Sequence, residues 1–490
     1  MAIVETRLDP SILREYDIRG IIGETLTSEV AELIGRCFGT MAVARGTSEV
    51  GVGYDGRLSS PELEQALVAG LAACGLTVVR FGRGPTPMLY FGLQHRDISA
   101  GVMVTGSHNP PDYNGFKLLI DRTPLTAEEI RALGRIAQEG AFAAGHGEVR
   151  DVDVRDAYGE RLAEGYRRGR ELTIAWDLGN GAAGDVIPRL CERLPGLRHV
   201  LVNEEVDGTF PAHHPDPAIP ANLAQLRDTV TQVGCDLGIA FDGDGDRIGV
   251  VDDDGEILWP DQVLLLLARD VLRERPGATI VADVKSSQTL FDGVEAAGGR
   301  WVMSPSGYPV IRRTMRERGA PLAGEMSGHV FFADRFYGAD DALYCAMRVL
   351  SIAAQAREPL AAFRRALPKT ISTPELRIRC PEHRKRQVVA AVAERLQAAG
   401  ADMLEIDGVR VRRNDGWWML RASNTEPALA ARCEAVDAGT FERLKEELAA
   451  ELAAGGVPVP DALARPVSAG DLGRGGEQRN EALPGLIDRP

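Results

Sequence analysis

A chain of 490 residues with 44% apolar and 26% charged residues has the composition of an ordinary globular protein. A single hydrophobic core stops growing well below this length, so we expect three or four domains. The formal net charge of −15 argues against general nucleic-acid binding, because a phosphate backbone requires a basic face. The longest apolar run, 263–268, is too short to cross a bilayer, and the N-terminus lacks the apolar segment of a signal peptide. These features predict a cytoplasmic protein that binds neither nucleic acid nor membrane.

The seven cysteines are scattered along the chain, and no two of them form a Cys-x-x-Cys pair. This pattern favours neither a disulfide framework nor a zinc site. We therefore expect the cysteines to be small buried hydrophobic residues.

Strands alternate with helices in the predicted structure of the first 120 residues. Apolar runs predict strands at 50–54, 76–81, 99–104 and 115–120, and helical spacing of apolar residues predicts helices that begin at Ser60 and Thr86. This alternation is typical of βαβ units with a mostly parallel sheet.

The order of strand, aspartate, loop and helix occurs three times, with the aspartates at Asp55, Asp177 and Asp283. The repeat predicts three related α/β domains with mixed sheets. In open α/β sheets, ligands bind at the loops that follow the carboxyl ends of the strands. We therefore expect the domains to be arranged round one central cleft.

After Pro368 the pattern changes to short strands at 375–379, 409–413 and 417–421, with helices at 382–399 and 441–454. This predicts a C-terminal antiparallel α+β domain. The last residues are rich in Gly, Pro and Arg and predict a flexible tail. The predicted boundaries are 9–154, 155–256, 257–368 and 369–454 for the domains and 455–490 for the tail.

The loop Thr105-Gly106-Ser107-His108-Asn109-Pro110 follows the apolar run 99–104. Gly106 permits backbone angles that are closed to other residues, and the prolines at 110 and 111 end the strand. The loop would hold the Ser107 hydroxyl at the mouth of a buried strand. Taken alone, the pattern fits a polar turn between two strands equally well.

The sharpest chemical signal is Asp242-Gly-Asp244-Gly-Asp246-Arg247, between two apolar runs. Three carboxylates at alternate positions repel one another unless a cation lies among them, and Mg²⁺ suits such hard oxygen ligands. A calcium EF-hand is excluded, because the positions that require Gly and Glu hold Arg247 and Asp253. The remaining alternative is a solvated acidic turn.

Two further loops carry groups suited to a sugar phosphate. Gly324-Glu325-Met-Ser327-Gly-His329 offers a carboxylate, a hydroxyl and an imidazole within six residues, which suits adjacent sugar hydroxyls. The segment from Arg421 to Pro427 offers one guanidinium followed by small polar residues, which suits a phosphate. Each could also be read as a helix cap or a turn.

These loops, together with Tyr16-Asp17-Ile18-Arg19-Gly20, occur in an order and spacing that resemble the α-D-phosphohexomutase family. The resemblance spans residues 9 to 454. Within that family the chain is most similar to the bacterial phosphomannomutase/phosphoglucomutase group, because the sugar loop reads Gly-Glu-Met-Ser-Gly-His.

The resemblance implies an isomerase that exchanges the phosphate of a hexose, mannose or glucose, between positions 1 and 6. Ser107 would be a phosphoserine, and Mg²⁺ would be held by Asp242, Asp244, Asp246 and a phosphoryl oxygen on Ser107. A hexose 1,6-bisphosphate would be the intermediate and the activator. The small-molecule substrates would bind to a monomer or weak homodimer.

The resemblance also implies roles for individual side chains. Arg19 and Lys117 would stabilise the transferring group, and His329 or Lys117 would handle the hydroxyl proton. His108 is a further catalytic candidate through its position beside Ser107. The remaining substrate-binding candidates are Tyr16, Arg247, Lys285, Tyr308, Glu325, Ser327, Arg421, Ser423, Asn424 and Thr425. Tyr308 departs from the subgroup, which carries a histidine there, and this leaves the substrate preference open.

Three alternatives remain: phosphoglucosamine mutase, a Mg-dependent sugar phosphatase and a non-catalytic sugar-phosphate sensor. A serine hydrolase that pairs Ser107 with His108 is disfavoured, because adjacent residues on an extended segment point to opposite faces. The Gly-x-Ser-x-Gly pattern is also absent, since Asn109 replaces its second glycine.

Overall fold

The computed structural model describes residues 7–424 and 427–465. Within these residues the chain divides into two compact units. The first unit runs to Asp283 and includes 293–302 and 307–365, and the second comprises 284–292, 303–306 and the described residues from 366 on. None of the described helices combines the length and apolar character needed to span a membrane. The seven cysteines form no disulfide, and all but Cys191 are buried.

The first sheet is mixed, with the strand order β1-β5-β4-β2-β3-β7 and with β6 paired to β5. Strands β4, β2, β3 and β7 run parallel, and β5 and β1 are antiparallel to their neighbours. Side chains of α1, α2 and α4 pack on β2, β4 and β5 to form the core. The elements are β1 (Ile18–Ile21), α1 (Ser28–Ala44), β2 (Glu49–Tyr54), α2 (Ser60–Ala72), β3 (Thr77–Arg83), α3 (Thr86–His95), β4 (Ala100–Val104), β5 (Tyr113–Ile120), β6 (Thr123–Pro124), α4 (Ala127–Glu139) and β7 (Val149–Asp151).

The second sheet has the order β12-β11-β10-β8-β9 and is also mixed, with β10, β8 and β9 parallel. The connection from β8 to β9 contains a 3-10 turn, Ala182–Asp185, and a short helix, Ile187–Glu192. The elements are α5 (Arg155–Ala163), β8 (Leu172–Asp177), α6 (Ile187–Glu192), β9 (Leu197–Val202), α7 (Ala224–Val233), β10 (Leu237–Phe241), β11 (Ile248–Asp252) and β12 (Ile257–Leu258).

The third sheet has the order β14-β13-β15-β16, with β13 and β15 parallel and β16 antiparallel. The prediction of three α/β domains with mixed sheets is therefore confirmed. The elements are α8 (Pro260–Glu274), β13 (Thr279–Asp283), α9 (Gln288–Ala296), β14 (Arg300–Ser304), α10 (Tyr308–Arg318), β15 (Leu322–Gly324), β16 (Val330–Phe332), α11 (Ala342–Gln355) and α12 (Leu360–Ala366).

The C-terminal sheet is antiparallel and has the order β17-β22-β21-β20-β19, with β18 also paired to β22. Helices α13 and α14 pack on it, which confirms the predicted α+β domain. The elements are β17 (Ile371–Ser372), β18 (Leu376–Arg379), α13 (Glu382–Ala398), β19 (Met403–Leu404), β20 (Val409–Arg413), β21 (Gly416–Ala422), β22 (Ala428–Ala435), α14 (Ala438–Ala454) and α15 (Asp461–Ala464).

The predicted flexible tail requires a correction at its beginning. Val457 and Leu463 are buried in the C-terminal core, and Leu463 lies on the short helix α15. Burial of these apolar side chains away from water is favourable, and it holds this part of the chain in place. Residues 466–490 lie outside the described residues.

Candidate active site

The Ser107 loop begins where the buried strand β4 ends. Asp55, which follows β2, accepts hydrogen bonds from the Thr105 hydroxyl at 2.7 Å and from the Gly106 N–H at 3.1 Å. The Thr105 hydroxyl accepts in turn from the Ser107 N–H at 2.8 Å. The ends of two neighbouring parallel strands thus build the loop together, as expected for the carboxyl edge of an α/β sheet.

Arg57 also holds this loop in place, and no sequence motif pointed to it. The residue is 1% exposed, and its guanidinium lies 3.3 Å from the Asp55 carboxylate. It donates hydrogen bonds of 2.5–2.9 Å to the main-chain carbonyls of Ser107, Asn109, Pro110 and Tyr113. A Cβ on Gly106 would lie 2.3 Å from the guanidinium carbon. Gly106 is therefore needed for the close approach of Arg57, and the residue with an unusual backbone angle is Ser107, at φ +47°.

The Ser107 side chain is buried, with 2% of its surface exposed. Its hydroxyl donates to Asp242 Oδ2 at 2.9 Å and lies 3.3 Å from His108 Nδ1. The expectation that Ser107 and His108 point to opposite faces is wrong, because the positive φ removes the segment from the extended conformation. Among the described residues no carboxylate hydrogen-bonds to His108, so the orienting group of a hydrolase triad is missing. Burial, followed by the Arg247 and Arg19 cations, lowers the pKa of His108 well below its ordinary value.

Asp242, Asp244 and Asp246 lie in the loop between the antiparallel strands β10 and β11, and none has exposed surface. One oxygen of each lies within 4.8 Å of the others, an arrangement that could hold a metal ion. The Oδ1 atoms of Asp244 and Asp246 are buried and form no hydrogen bond with the described residues. Buried carboxylate oxygens without donors favour a cation, so the three residues fit the predicted metal site.

Lys117, on β5, supplies a positive charge to this acidic cluster. Its Nζ donates to Asp244 Oδ2 at 2.7 Å and also forms an ion pair with Asp246. Burial lowers the pKa of Lys117, but the two carboxylates outweigh burial and raise it well above its ordinary value. Burial and the neighbouring Asp244 and Asp246 raise the pKa of Asp242. Arg247 Nε lies 4.0 Å from Asp242, so Lys117 and Arg247 together balance only part of the negative charge of three buried aspartates.

The Tyr16 to Gly20 segment lies beside the Ser107 loop. Arg19 donates to the Thr105 carbonyl at 2.7 Å and to Asp17 at 2.9 Å. The ring of Tyr16 packs edge-on against that of Tyr308, with 6.3 Å between centroids. The Tyr308 hydroxyl donates to the Tyr16 carbonyl at 3.3 Å, so this tyrosine joins the first domain to the start of α10.

The sugar loop joins β15 to β16, and its backbone is held by a hydrogen bond from the Glu325 N–H to the His329 carbonyl. His329 Nε2 accepts from Arg247 Nε at 3.1 Å, and its Nδ1 lies 3.0 Å from Asp340 and 3.7 Å from Asp246. The Ser327 hydroxyl is buried without a hydrogen-bond partner in the described structure. The sugar loop and the acidic loop therefore meet at the Arg247–His329 contact.

The second unit contains the other predicted substrate-binding residues. Lys285 Nζ lies 3.2 Å from Glu375, and Arg421 Nε donates to Asp407 at 2.8 Å. The Ser423 carbonyl accepts from Lys385 at 2.6 Å. Asn424 ends the described part of this loop, and the predicted contact Thr425 lies outside the described residues.

The structure therefore gathers the predicted residues into two sets, one in each unit. The set in the first unit consists of Tyr16, Arg19, Ser107, His108, Lys117, Asp242, Asp244, Asp246, Arg247, Tyr308, Glu325, Ser327 and His329. Asp55 and Arg57 could have been found from the sequence as a pair of opposite charges placed directly after a buried strand.

Comparison with protein families matches four consecutive parts of the chain. They are described as phosphoglucomutase/phosphomannomutase alpha/beta/alpha domain I at residues 10–144, domain II at 156–255, domain III at 259–371 and the C-terminal domain at 375–451.

Individual proteins match over nearly the whole chain. The chain is 44% identical over 455 residues to a phosphomannomutase/phosphoglucomutase of Pseudomonas aeruginosa, covering 92% of this chain and 98% of that protein. It is 42% identical over 443 residues to a phosphoglucomutase of Neisseria gonorrhoeae, covering 90% and 96%. A crystal structure of a phosphoglucomutase/phosphomannomutase family protein from Burkholderia thailandensis matches with a TM-score of 0.88 and 41% identity, covering 92% of this chain and 100% of that one.

Proposed function

The chain belongs to the phosphoglucomutase/phosphomannomutase family and is an enzyme of the mutase class, and on this premise we propose that it interconverts hexose 1-phosphate and hexose 6-phosphate. Mannose and glucose are the hexoses that we assign to it, since the names of its relatives refer to both. The observation that carries the proposal is the buried Ser107 hydroxyl, 2.9 Å from one of three clustered aspartates.

We assign to Ser107 the role of a phosphoryl carrier. The phosphoserine transfers its phosphoryl group to the free hydroxyl of a hexose 1- or 6-phosphate, so that the bond from phosphorus to Ser107 Oγ breaks and a bond to the sugar oxygen forms. The hydroxyl proton passes to a base of the protein. The resulting hexose 1,6-bisphosphate returns its other phosphoryl group to Ser107, and the sugar leaves with its phosphate at the new position. The same bisphosphate activates a chain whose Ser107 is unmodified.

Asp242, Asp244 and Asp246 would hold Mg²⁺, together with a phosphoryl oxygen on Ser107. The unpartnered oxygens of Asp244 and Asp246 support this assignment. When bound, the ion neutralises negative charge on the phosphoryl group.

Lys117 and Arg19 are placed to stabilise the transferring group by charge, because both lie against the Ser107 loop or its aspartates. His329 is proposed as the base for the sugar proton, with His108 beside the serine as a further candidate. Lys117 does not suit this role, because Asp244 and Asp246 raise its pKa and keep it protonated. Arg247 donates to His329 Nε2, whereas Nδ1 lies 3.0 Å from Asp340 without a hydrogen bond to it, so Nδ1 is the ring nitrogen left for proton exchange.

Glu325 and Ser327 are assigned to the 3- and 4-hydroxyls of the sugar. A sugar hydroxyl would give the buried Ser327 hydroxyl the partner that the described protein atoms do not provide. Tyr16, Tyr308 and Arg247 complete the proposed substrate contacts of the first unit. Tyr308 offers a hydroxyl and an aromatic face, and burial raises its pKa, so it stays uncharged where the subgroup has a histidine.

The residues of the second unit are assigned to the phosphate that does not react. Lys285 and Arg421 supply charge, and Ser423, Asn424 and Thr425 supply hydroxyl, amide and main-chain donors. Both cations pair with carboxylates in the structure, so a bound phosphate would replace these carboxylates as their partner.

One assay tests the proposal and separates it from the alternatives. The protein is incubated with mannose 1-phosphate, glucose 1-phosphate or glucosamine 1-phosphate, with Mg²⁺ and a trace of glucose 1,6-bisphosphate. We expect hexose 6-phosphate from the mannose and glucose substrates. Preferred turnover of the glucosamine substrate would instead identify a phosphoglucosamine mutase.

Two further outcomes of the same assay would contradict the proposal. Release of free phosphate in place of hexose 6-phosphate would indicate a phosphatase, in which water intercepts the phosphoserine. Binding of the sugar phosphate without turnover would indicate a sensor.

Ser99→Ala serves as a matched control for Ser107→Ala, because Ser99 lies at the other end of β4 and its side chain forms none of the contacts described above.

A further inference from the structure

A cavity of about 450 Å³ lies in the first unit and contains none of the residues assigned above to the reaction. Its wall is formed by α3, α10, the end of β5 with the turn that follows it, and the loop after β16. This volume falls in the range of small-molecule sites in proteins.

Five arginines line this cavity: Arg122, Arg275, Arg312, Arg313 and Arg316. Asp121 is the single acidic residue among the lining residues. The net charge of the chain is −15, so the guanidinium groups give the cavity a positive charge that is opposite in sign to that of the protein as a whole.

Two of these arginines have no carboxylate partner in the described part of the chain. Arg312 donates through one nitrogen to the Arg122 carbonyl at 2.7 Å, and Arg316 donates to the Thr123 hydroxyl at 3.0 Å. The other three lie beside acidic side chains, Arg122 at Asp97, Arg275 at Asp334 and Arg313 at Glu317. The charges of Arg312 and Arg316 are therefore available to an anion. That of Arg313 is available as well, because its exposed pair with Glu317 spans 4.0 Å and such surface pairs contribute little.

The Arg312 guanidinium lies over the ring of Tyr90, another lining residue, 5.3 Å from its centroid. An aromatic face attracts a cation without neutralising its charge, so this contact holds Arg312 at the cavity while its positive charge is kept.

We propose that this cavity binds a phosphorylated small molecule that carries adjacent phosphate groups and an uncharged organic part. Guanidinium groups match phosphate oxygens with paired hydrogen bonds, which accounts for the choice of arginine. The cavity is larger than a diphosphate requires, and Leu93, Leu119 and Met315 give it an apolar wall that would contact the organic part. The proposal stands on these lining residues and does not depend on the reaction proposed above.

The test measures binding of ADP, with inorganic pyrophosphate as its charge-only fragment, by isothermal titration calorimetry on the full-length protein. The variants are Arg316→Gln and Arg313→Gln, with Arg318→Gln as the matched control. All three arginines are exposed on α10, but Arg318 does not line the cavity. Substitution at exposed positions should leave the fold intact.

We expect the wild type and Arg318→Gln to bind ADP with the same Kd, and Arg316→Gln and Arg313→Gln to bind it about tenfold more weakly or worse. ADP should also bind more tightly than pyrophosphate, because the apolar wall contributes. Equal Kd values in all four proteins, or no binding to the wild type, would overturn the proposal. Equal affinity for ADP and pyrophosphate would overturn the assignment of the organic part. Because the readout is binding, a failed mutase assay would not affect it.

Discussion

The Ser107 loop in the first unit and the Arg421 loop in the second each follow a buried strand, but their charges are balanced in opposite ways. Beside Ser107 three buried aspartates are paired with two cations, Lys117 and Arg247, so negative charge is in excess. Beside Arg421 each of the two cations already lies against a carboxylate, Arg421 against Asp407 and Lys285 against Glu375. The first arrangement favours an added cation, and the second can accept an anion by exchanging one partner for another.

The largest effect is expected at the hydroxyl itself. Ser107→Ala removes the only atom of the loop that we assign as the acceptor of a phosphoryl group, so turnover should fall by about a thousandfold or more. The rate of hexose 6-phosphate formation measures this, with Ser99→Ala retaining wild-type activity. Comparable rates in the two variants would remove Ser107 from the mechanism.

Asp244→Asn reduces the excess of negative charge beside Ser107. This change removes one carboxylate from the cluster and weakens the pairing of Lys117, so we expect turnover to fall by about a hundredfold and the Mg²⁺ concentration for half-maximal activity to rise. A Mg²⁺ titration of activity gives both quantities. Asp228→Asn, at an exposed position on α7, is the control. Wild-type activity of Asp244→Asn in EDTA would argue against a metal at this cluster.

The Ser107 loop is also distinguished by the buried cation beneath it. Arg57→Met leaves four main-chain carbonyls without their donor and Asp55 without its ion-pair partner, so the free energy of unfolding should fall by about 3 kcal/mol. Urea denaturation measures the change. Arg83→Met, which removes a half-exposed ion pair with Asp185, should lower the free energy of unfolding by less than about 1 kcal/mol. Equal losses in the two variants would show that Arg57 is not what fixes the loop.

The smallest effect concerns the paired carboxylates of the second unit. Burial raises the pKa of Glu375, but the Lys285 and Arg377 cations outweigh it and lower that pKa to about 2. A depressed carboxyl pKa stabilises the fold above the ordinary value, and this contribution is lost as the pH falls from about 4.5 towards 2. Glu375→Gln should therefore reduce the free energy of unfolding at pH 7 by about 1 kcal/mol, with the difference from wild type shrinking below pH 4.5. Denaturation at several pH values measures it, and a difference independent of pH would contradict the assigned pairing.

The sequence was sufficient to predict most of the fold because its strongest patterns are local. The apolar runs of β2, β4, β5, β10 and β13 are followed directly by polar loops, and the structure places a strand at each run. The three mixed sheets and the antiparallel C-terminal sheet are confirmed for the same reason. Loop chemistry also pointed to Ser107 and the three aspartates, and the family resemblance added Lys117. The structure brings these residues together.

What the sequence did not predict depends on contacts between distant parts of the chain. Strand β22, Ala428–Ala435, is rich in alanine, which favours helix, and becomes a strand because β21 pairs along one edge and β17 and β18 along the other. From the sequence, Arg57 resembles an ordinary turn residue, because the Ser107 loop that it contacts lies 50 residues further along the chain. The Ser107–His108 contact requires a positive φ at Ser107, and the residue type does not predict that angle.

The central claim is that Ser107 carries the phosphoryl group, and phosphopeptide mass spectrometry after incubation with glucose 1,6-bisphosphate tests it most directly. We expect one added phosphate on the peptide that contains Ser107, which disappears when excess glucose 6-phosphate is added and is absent from Ser107→Ala. An unmodified Ser107, or a phosphate located on another residue with the same gain and loss, would contradict the account.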